Sequence, residues 1–183
     1  MKIKLAIGLA LLLATFIWAA DTDNFTITVT VDFIDFTLKD AGNTTDYTNW
    51  PIGNVNAGSV HTQTTTSGGD HIYVNNLSNV ALDFKAYSTS VAPGGCGYGT
   101  PTAWTPAASA GTNVYKLELG KGLVGTLPGA FTGITGTTSG TANTYYTTTA
   151  GESYHLYTQL TAPTVAADGC QHTITVYVMA VAP

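Results

Sequence analysis

Along most of the chain apolar and polar residues alternate with a period of two, the pattern of strands that bury one face. Phe25, Ile27, Val29, Val31 and Phe33 alternate with Thr26, Thr28, Thr30 and Asp32. The parity then flips, and Ile34, Phe36 and Leu38 occupy even positions, which places a bulge, break or change of sheet near Phe33 and Ile34. The same reading predicts strands at 59–66, 71–75, 80–89, 114–119, 154–161 and 172–181. Turn chemistry falls between them: Asn49-Trp50-Pro51, Ser67-Gly68-Gly69-Asp70, Asn75-Asn76, Pro93-Gly94-Gly95 and Ala167-Asp168-Gly169. No run beyond residue 20 sustains a helical period. The pattern therefore predicts an all-β fold: a single antiparallel β-sandwich, immunoglobulin-like, of about seven to nine strands, with a closed barrel as the other β architecture left open. Two stretches, 90–112 and 120–151, are Gly/Thr-rich and read as long loops. Loops of that length are unusual in a compact domain and tend to mean function or mobility. A small extra hairpin near residues 145–149 fits the second stretch equally well.

Residues 1–20 follow a different rule. Lys2 and Lys4 precede an apolar run from Leu5 to Trp18, followed by Ala19 and Ala20. That run is shorter than the roughly twenty residues a membrane-crossing helix needs, and it reads as a secretory signal peptide. A retained N-terminal anchor is the other reading, because Ile17 or Trp18 falls three positions before the candidate cleavage sites. The expected mature chain, 21–183, is one domain, secreted or at the cell surface, with no membrane span. Export makes the two cysteines, Cys96 and Cys170, an expected disulfide with a single possible connectivity. Cys170 and His172 would share a strand face, but no third or fourth ligand stands at a recognised spacing, so no metal and no cofactor is expected.

Composition narrows the function. The chain has 183 residues, a formal net charge of −5, 33 threonines and no arginine. An acidic chain without guanidinium groups is a poor ligand for phosphate backbones, which excludes nucleic acid as a partner. Ample apolar content with few charges argues against disorder. No nucleophile elbow, paired metal-binding histidines, phosphate-cradling loop or dinucleotide fingerprint is present, and the expectation is no enzyme. His61, His71, His155 and His172 are scattered over separate strands. Tyr98, Trp104, Tyr145 and Tyr146 lie in turn-rich segments where they could stack on sugar rings, which predicts a carbohydrate-binding or adhesion module as the alternative role, with cell-surface glycans as partner. Asn24-Phe25-Thr26, Asn43-Thr44-Thr45 and Asn76-Leu77-Ser78 match glycan acceptor triplets.

The sharpest feature is the length of 25–38. Extended, these residues span about 46 Å, whereas a domain of this size has a diameter near about 40 Å. Either the ribbon kinks at Phe33 and Ile34 and serves both sheets, or its first half projects. In the second case Phe25, Ile27, Val29, Val31 and Phe33 insert into a neighbouring subunit, a head-to-tail strand addition that builds filaments.

The segments Phe25-Thr-Ile-Thr-Val-Thr-Val31, Asn75-Asn-Leu-Ser-Asn-Val-Ala-Leu-Asp-Phe84 and Gln171-His-Thr-Ile-Thr-Val-Tyr-Val178 give the chain a layout that resembles secreted prokaryotic immunoglobulin-like β-sandwich surface and fibre proteins, of the donor-strand filament and biofilm-matrix type. The resemblance implies an exported structural protein that self-associates into a homopolymer. It transfers no catalytic or ligand-binding residue.

Overall fold

The computed structural model describes residues 26, 28, 29, 31–94 and 99–183. The chain divides into two units, Met1–Val31 and Asp32–Pro183. Of the first, only Thr26, Thr28, Val29 and Val31 are described, all exposed and none in a strand.

The second unit is all-β. Its strands are β1 (Phe36–Asp40), β2 (Val60–Thr62), β3 (Ile72–Asn76), β4 (Leu82–Val91), β5 (Thr105–Pro106), β6 (Val114–Gly122), β7 (Thr132–Ile134), β8 (Asn143–Thr148), β9 (Tyr154–Thr161) and β10 (Thr173–Val181). One turn of 3-10 helix, Ser139–Thr141, stands before β8. The larger sheet runs β1-β3-β9-β6-β5, with β2 also on β9 and β7 also on β6; the smaller runs β10-β4-β8. These ten strands in two sheets over one core form a sandwich-like arrangement.

The alternation seen in the sequence sets which side chains meet. Leu82, Phe84 and Ala86 on β4 are fully buried, and so are Val74 on β3, Tyr115 on β6, Ile134 on β7 and Leu156 on β9. Aromatic edges join the layers. The Phe84 ring lies edge-on to Phe36 at 5.2 Å and to Tyr154 at 5.5 Å.

Several expectations need correcting. The strand predicted over 25–38 is not continuous: among the described residues the ladder begins at Phe36, and 31–35 belong to no strand. The parity change is real, since Phe36 and Leu38 pack against the core while Phe33 and Ile34 are 56% and 44% exposed. Ahead of β1 the backbone of Phe33 and Asp35 is bonded to the segment that follows β3: Asn79 N–H donates to the Phe33 carbonyl at 3.3 Å and Leu77 N–H to the Asp35 carbonyl at 3.0 Å. Phe33 N–H donates to Asn79 Oδ1 at 2.7 Å, and Asp35 N–H donates to Ser78 Oγ at 3.0 Å. The sheet is also not purely antiparallel, because β5 runs parallel to β6, pairing Thr105 with Val114 and Pro106 with Tyr115. Finally, 120–151 is not one loop. It carries β7 on β6 and β8 on β4, so the residues near Tyr145 add to a distant strand instead of closing a local hairpin.

Candidate functional site

The N-terminal segment and one sheet edge carry the most unusual surface. Val29 and Val31 are each 74% exposed. Both stand in a segment whose sequence pattern is that of a half-buried strand. Exposed apolar side chains that join into a patch mark contact sites. The remaining members of the predicted intersubunit row, Phe25 and Ile27, lie outside the described residues.

Three polar clusters sit elsewhere. In the first, β3 and β9 pair Tyr73 with His155, which brings together two histidines that are 84 positions apart. His71 is fully buried; its Nδ1 lies 2.9 Å from the Thr64 carbonyl and its Nε2 lies 3.0 Å from His155 Nδ1. A carbonyl only accepts, so His71 carries its proton on Nδ1 and accepts at Nε2, and His155 Nδ1 donates to it. His155 Nε2 is then left as the basic nitrogen. Burial, then the neighbouring His71, holds the His155 pKa below its ordinary value. His71 also stacks on Tyr157 at 4.8 Å, and the Tyr157 hydroxyl donates to the Leu123 carbonyl. Gly122 makes that packing possible, because a Cβ there would stand 2.6 Å from the Tyr157 ring. Gln63 closes the base of the cluster, donating to Tyr47 Oη and to the Asp70 carbonyl and accepting from Thr158 N–H, each at 2.7 Å. Chemically this is a rigid framework with one basic nitrogen and no second ligand: among the described residues no group of three His, Cys, Asp or Glu side chains could hold a metal.

The second cluster anchors the start of β10. His172 Nε2 lies 2.8 Å from Asp168 Oδ1, and both side chains are buried. Asp168 also accepts from the N–H groups of Thr102 and Cys170. Its carboxyl is held below the usual carboxylate range, first by His172 and then by the Thr102 N–H. Trp104 stacks on His172 with ring centroids 3.9 Å apart. Trp104 Nε1 and His172 Nδ1 are both buried without a hydrogen-bond partner. Cys170 is not a free thiol; Cys96, its expected partner, lies outside the described residues, as does Tyr98.

The third cluster spans the two sheets. Lys121 on β6 donates to Tyr146 Oη on β8 and to Glu152 Oε1, the latter at 2.5 Å, and the Tyr146 hydroxyl donates to Glu152 Oε1 at 2.7 Å. Glu152 also caps its own turn through Thr149 N–H at 3.1 Å. Lys121, then Tyr146 and the Thr149 N–H, lower the Glu152 pKa from 4.5 to about 2. A carboxyl whose folded pKa is depressed stabilises the fold fully above its unfolded pKa, and that contribution disappears as pH falls through the folded value. The expected outcome is that the difference in thermal midpoint between the parent chain and Glu152→Gln is constant from neutral pH down to 4.5 and vanishes on acidification to about 2. Thermal unfolding followed by circular dichroism at stepped pH checks it. A difference independent of pH over that window refutes the ion-pair account.

The aromatic residues expected to stack on sugars are placed differently. Trp104 and Tyr145 are buried in the core, and the Tyr145 hydroxyl is hydrogen-bonded to Tyr154 Oη at 3.0 Å. Neither offers a ring face to solvent, because in a domain this size the largest aromatic surfaces are drawn inward. Tyr146 is half-buried and has Lys121 Nζ 4.4 Å from its ring centre. Sequence reading missed a different pair: Tyr87 and Tyr177, directly opposite on β4 and β10, stack at 4.6 Å with Tyr177 partly exposed. Of the acceptor triplets, Asn76 is 3% exposed and donates to Thr148 Oγ1 and the Thr149 carbonyl, so it is closed to modification in the folded chain. Asn43 sits on an exposed turn with positive φ. A shallow open groove lined by 62–66 and 125–127 contains no acid, base or nucleophile beyond threonine hydroxyls.

Comparison with family models, curated proteins and solved structures finds no match for this chain.

Proposed function

We propose that the chain is an exported structural subunit, not an enzyme, that self-associates into an extracellular filament or matrix by adding its N-terminal strand to another copy. In this reading the body is an immunoglobulin-like sandwich, Cys96 and Cys170 form its disulfide, and residues 25–33 are the adding strand. The observation that carries the reading is the exposure of the Val29 and Val31 side chains, each 74% exposed, in a segment with no strand among the described residues. Covering a Val or Phe side chain is worth about 1.5–3 kcal/mol each, so a row of five supplies enough to offset the ordering of one short segment.

The test is the size of the mature chain in solution. Sedimentation velocity at micromolar concentration is expected to show large polymers for the parent chain and a monomer for a variant lacking residues 21–31. That deletion keeps the Phe33–Asn79 contact. A second variant, Val29→Lys with Val31→Lys, changes only exposed positions and is expected to give a folded monomer. Regular polymers from either variant overturn the proposal.

A further inference from the structure

The inward row of β4 changes from apolar to polar along the strand: Leu82, Phe84 and Ala86 are followed by Ser88 and Ser90. The two serines are not equivalent. Ser88 Oγ meets Tyr115 Oη of β6 at 2.8 Å, a polar bond between the two sheets. Ser90 lies two residues on, on the same face, and its buried Oγ has no hydrogen-bond partner. Trp104 Nε1 and His172 Nδ1 are buried and unpartnered as well. The fourth such atom among the described residues, Thr37 Oγ1, is on β1, which pairs with neither β4 nor β10.

The fold brings the other three together. Ser90 is opposite Ile174, and His172 precedes Ile174 by two residues on the same inward parity. Ser90 and His172 are therefore diagonal neighbours, within reach of a long side chain. The His172 side chain is 2% exposed and Trp104 is 9% exposed. Their ring centroids are 3.9 Å apart and their planes 15° from parallel, so the two unpartnered nitrogens are carried on facing rings. Trp104 directly precedes β5 of the larger sheet, whereas Ser90 and His172 belong to the smaller sheet and its entrance.

The chemistry of these atoms selects what they hold. An indole N–H only donates. Asp168 Oδ1 lies 2.8 Å from His172 Nε2, and the same carboxylate accepts from the N–H groups of Thr102 and Cys170. His172 Nε2 therefore carries the ring proton, and Nδ1 of the neutral ring accepts. A serine hydroxyl does either. The indole N–H repels a cation, and the buried Asp168 carboxylate on the same imidazole repels an anion. Water meets all three atoms: it accepts from Trp104, donates to His172 and bonds to Ser90, three bonds being the ordinary number for an internal water. We propose that Trp104 Nε1, His172 Nδ1 and Ser90 Oγ form a buried site for one water molecule, which ties the start of β5 in the larger sheet to β4 and β10 in the smaller. A buried polar atom left unbonded carries the full cost of its lost hydration, and the water removes that cost without moving either ring. The site is independent of how the chain assembles.

Solid-state NMR of the sedimented full mature chain, uniformly labelled with 15N, tests this whether or not the chain is assembled. Magnetisation is selected on water protons and passed to nearby nitrogens during a short mixing time. The expected result is transfer to both Trp104 Nε1 and His172 Nδ1, while the amide of Leu117, buried in the core, receives none. Ser90→Val fills the space beside the two rings with methyl groups and is expected to abolish both transfers. Absence of transfer to either nitrogen in the parent chain overturns the site, and that measurement decides even if the variant fails to fold. Transfer that survives in a folded Ser90→Val overturns it too, because the water would then lie elsewhere.

Discussion

Phe84→Ala is expected to lower unfolding stability by about 3–5 kcal/mol, the range for removing a fully buried phenylalanine from a core that cannot collapse around the cavity. The site is unable to collapse for a specific reason. Phe84 stands on the central strand of the smaller sheet; it meets Phe36 on β1 and Tyr154 on β9 across the layer, and Tyr145 on the adjacent β8. Tyr145 and Tyr154 are tied to each other through their hydroxyls, so neither can swing into the space without losing that bond. Denaturant titration of parent and variant under conditions that keep both monomeric measures the loss. A change below about 1 kcal/mol would mean that the two sheets do not pack through this residue.

Cys170→Ser is expected to have an effect of similar size. Cross-linking Cys96 to Cys170 closes a loop of about 75 residues, which in the chain-entropy model is worth on the order of 4 kcal/mol. Cys170 also sits where β10 begins: its N–H donates to Asp168 Oδ1 at 3.2 Å, and Asp168 in turn holds His172. Losing the link therefore frees the entrance to β10. The expected results are no reactive thiol in the native exported chain, a large drop in the denaturation midpoint of Cys170→Ser, and the same drop in the parent chain after reduction. Two titratable thiols in the native chain, or a midpoint insensitive to reductant, would refute the pairing.

The parts of the fold that were legible in the sequence are those whose side chains obey one rule along the whole element. β9 coincides with the alternation read at 154–161, and β10 and β4 fall within two residues of the alternation at 172–181 and 80–89. The elements that were not legible depend on a partner far away in sequence. β7 has three residues and exists because β6 pairs with it, and β8 buries Tyr145 and Thr148, a spacing of three imposed by the register shift against β4. The apolar row at 25–38 read as one strand because composition alone cannot tell where a ladder starts; the flip at Phe33 and Ile34 marked the place, since backbone bonds to Asn79 and Leu77 are present at Phe33 and Asp35 and the strand itself runs from Phe36.

The polar clusters were hidden for the same reason. His71 and His155 are 84 positions apart, and only the β3–β9 register, with Ile72 opposite Leu156, makes them neighbours. That both lie at the parity opposite to Ile72 and Leu156 was visible in the sequence, and it was the one available clue. Trp104 and Tyr145 were read as surface aromatics because glycine, proline and threonine surround them. Burial of a large ring outweighs the polarity of its neighbours in sequence when a core has space to fill. Sequence separation also concealed the Lys121–Glu152 pair, which joins β6 to the turn before β9.

The claim on which the functional account turns is that the row at 25–33 is covered by another copy. Hydrogen–deuterium exchange of the peptide containing Val29 and Val31, measured by mass spectrometry over a range of chain concentrations, reads this most directly. Slow exchange in concentrated, assembled samples that becomes fast on dilution to monomer is the expected result. Protection of residues 25–33 that is unchanged by dilution would place the ribbon within its own chain and contradict the account.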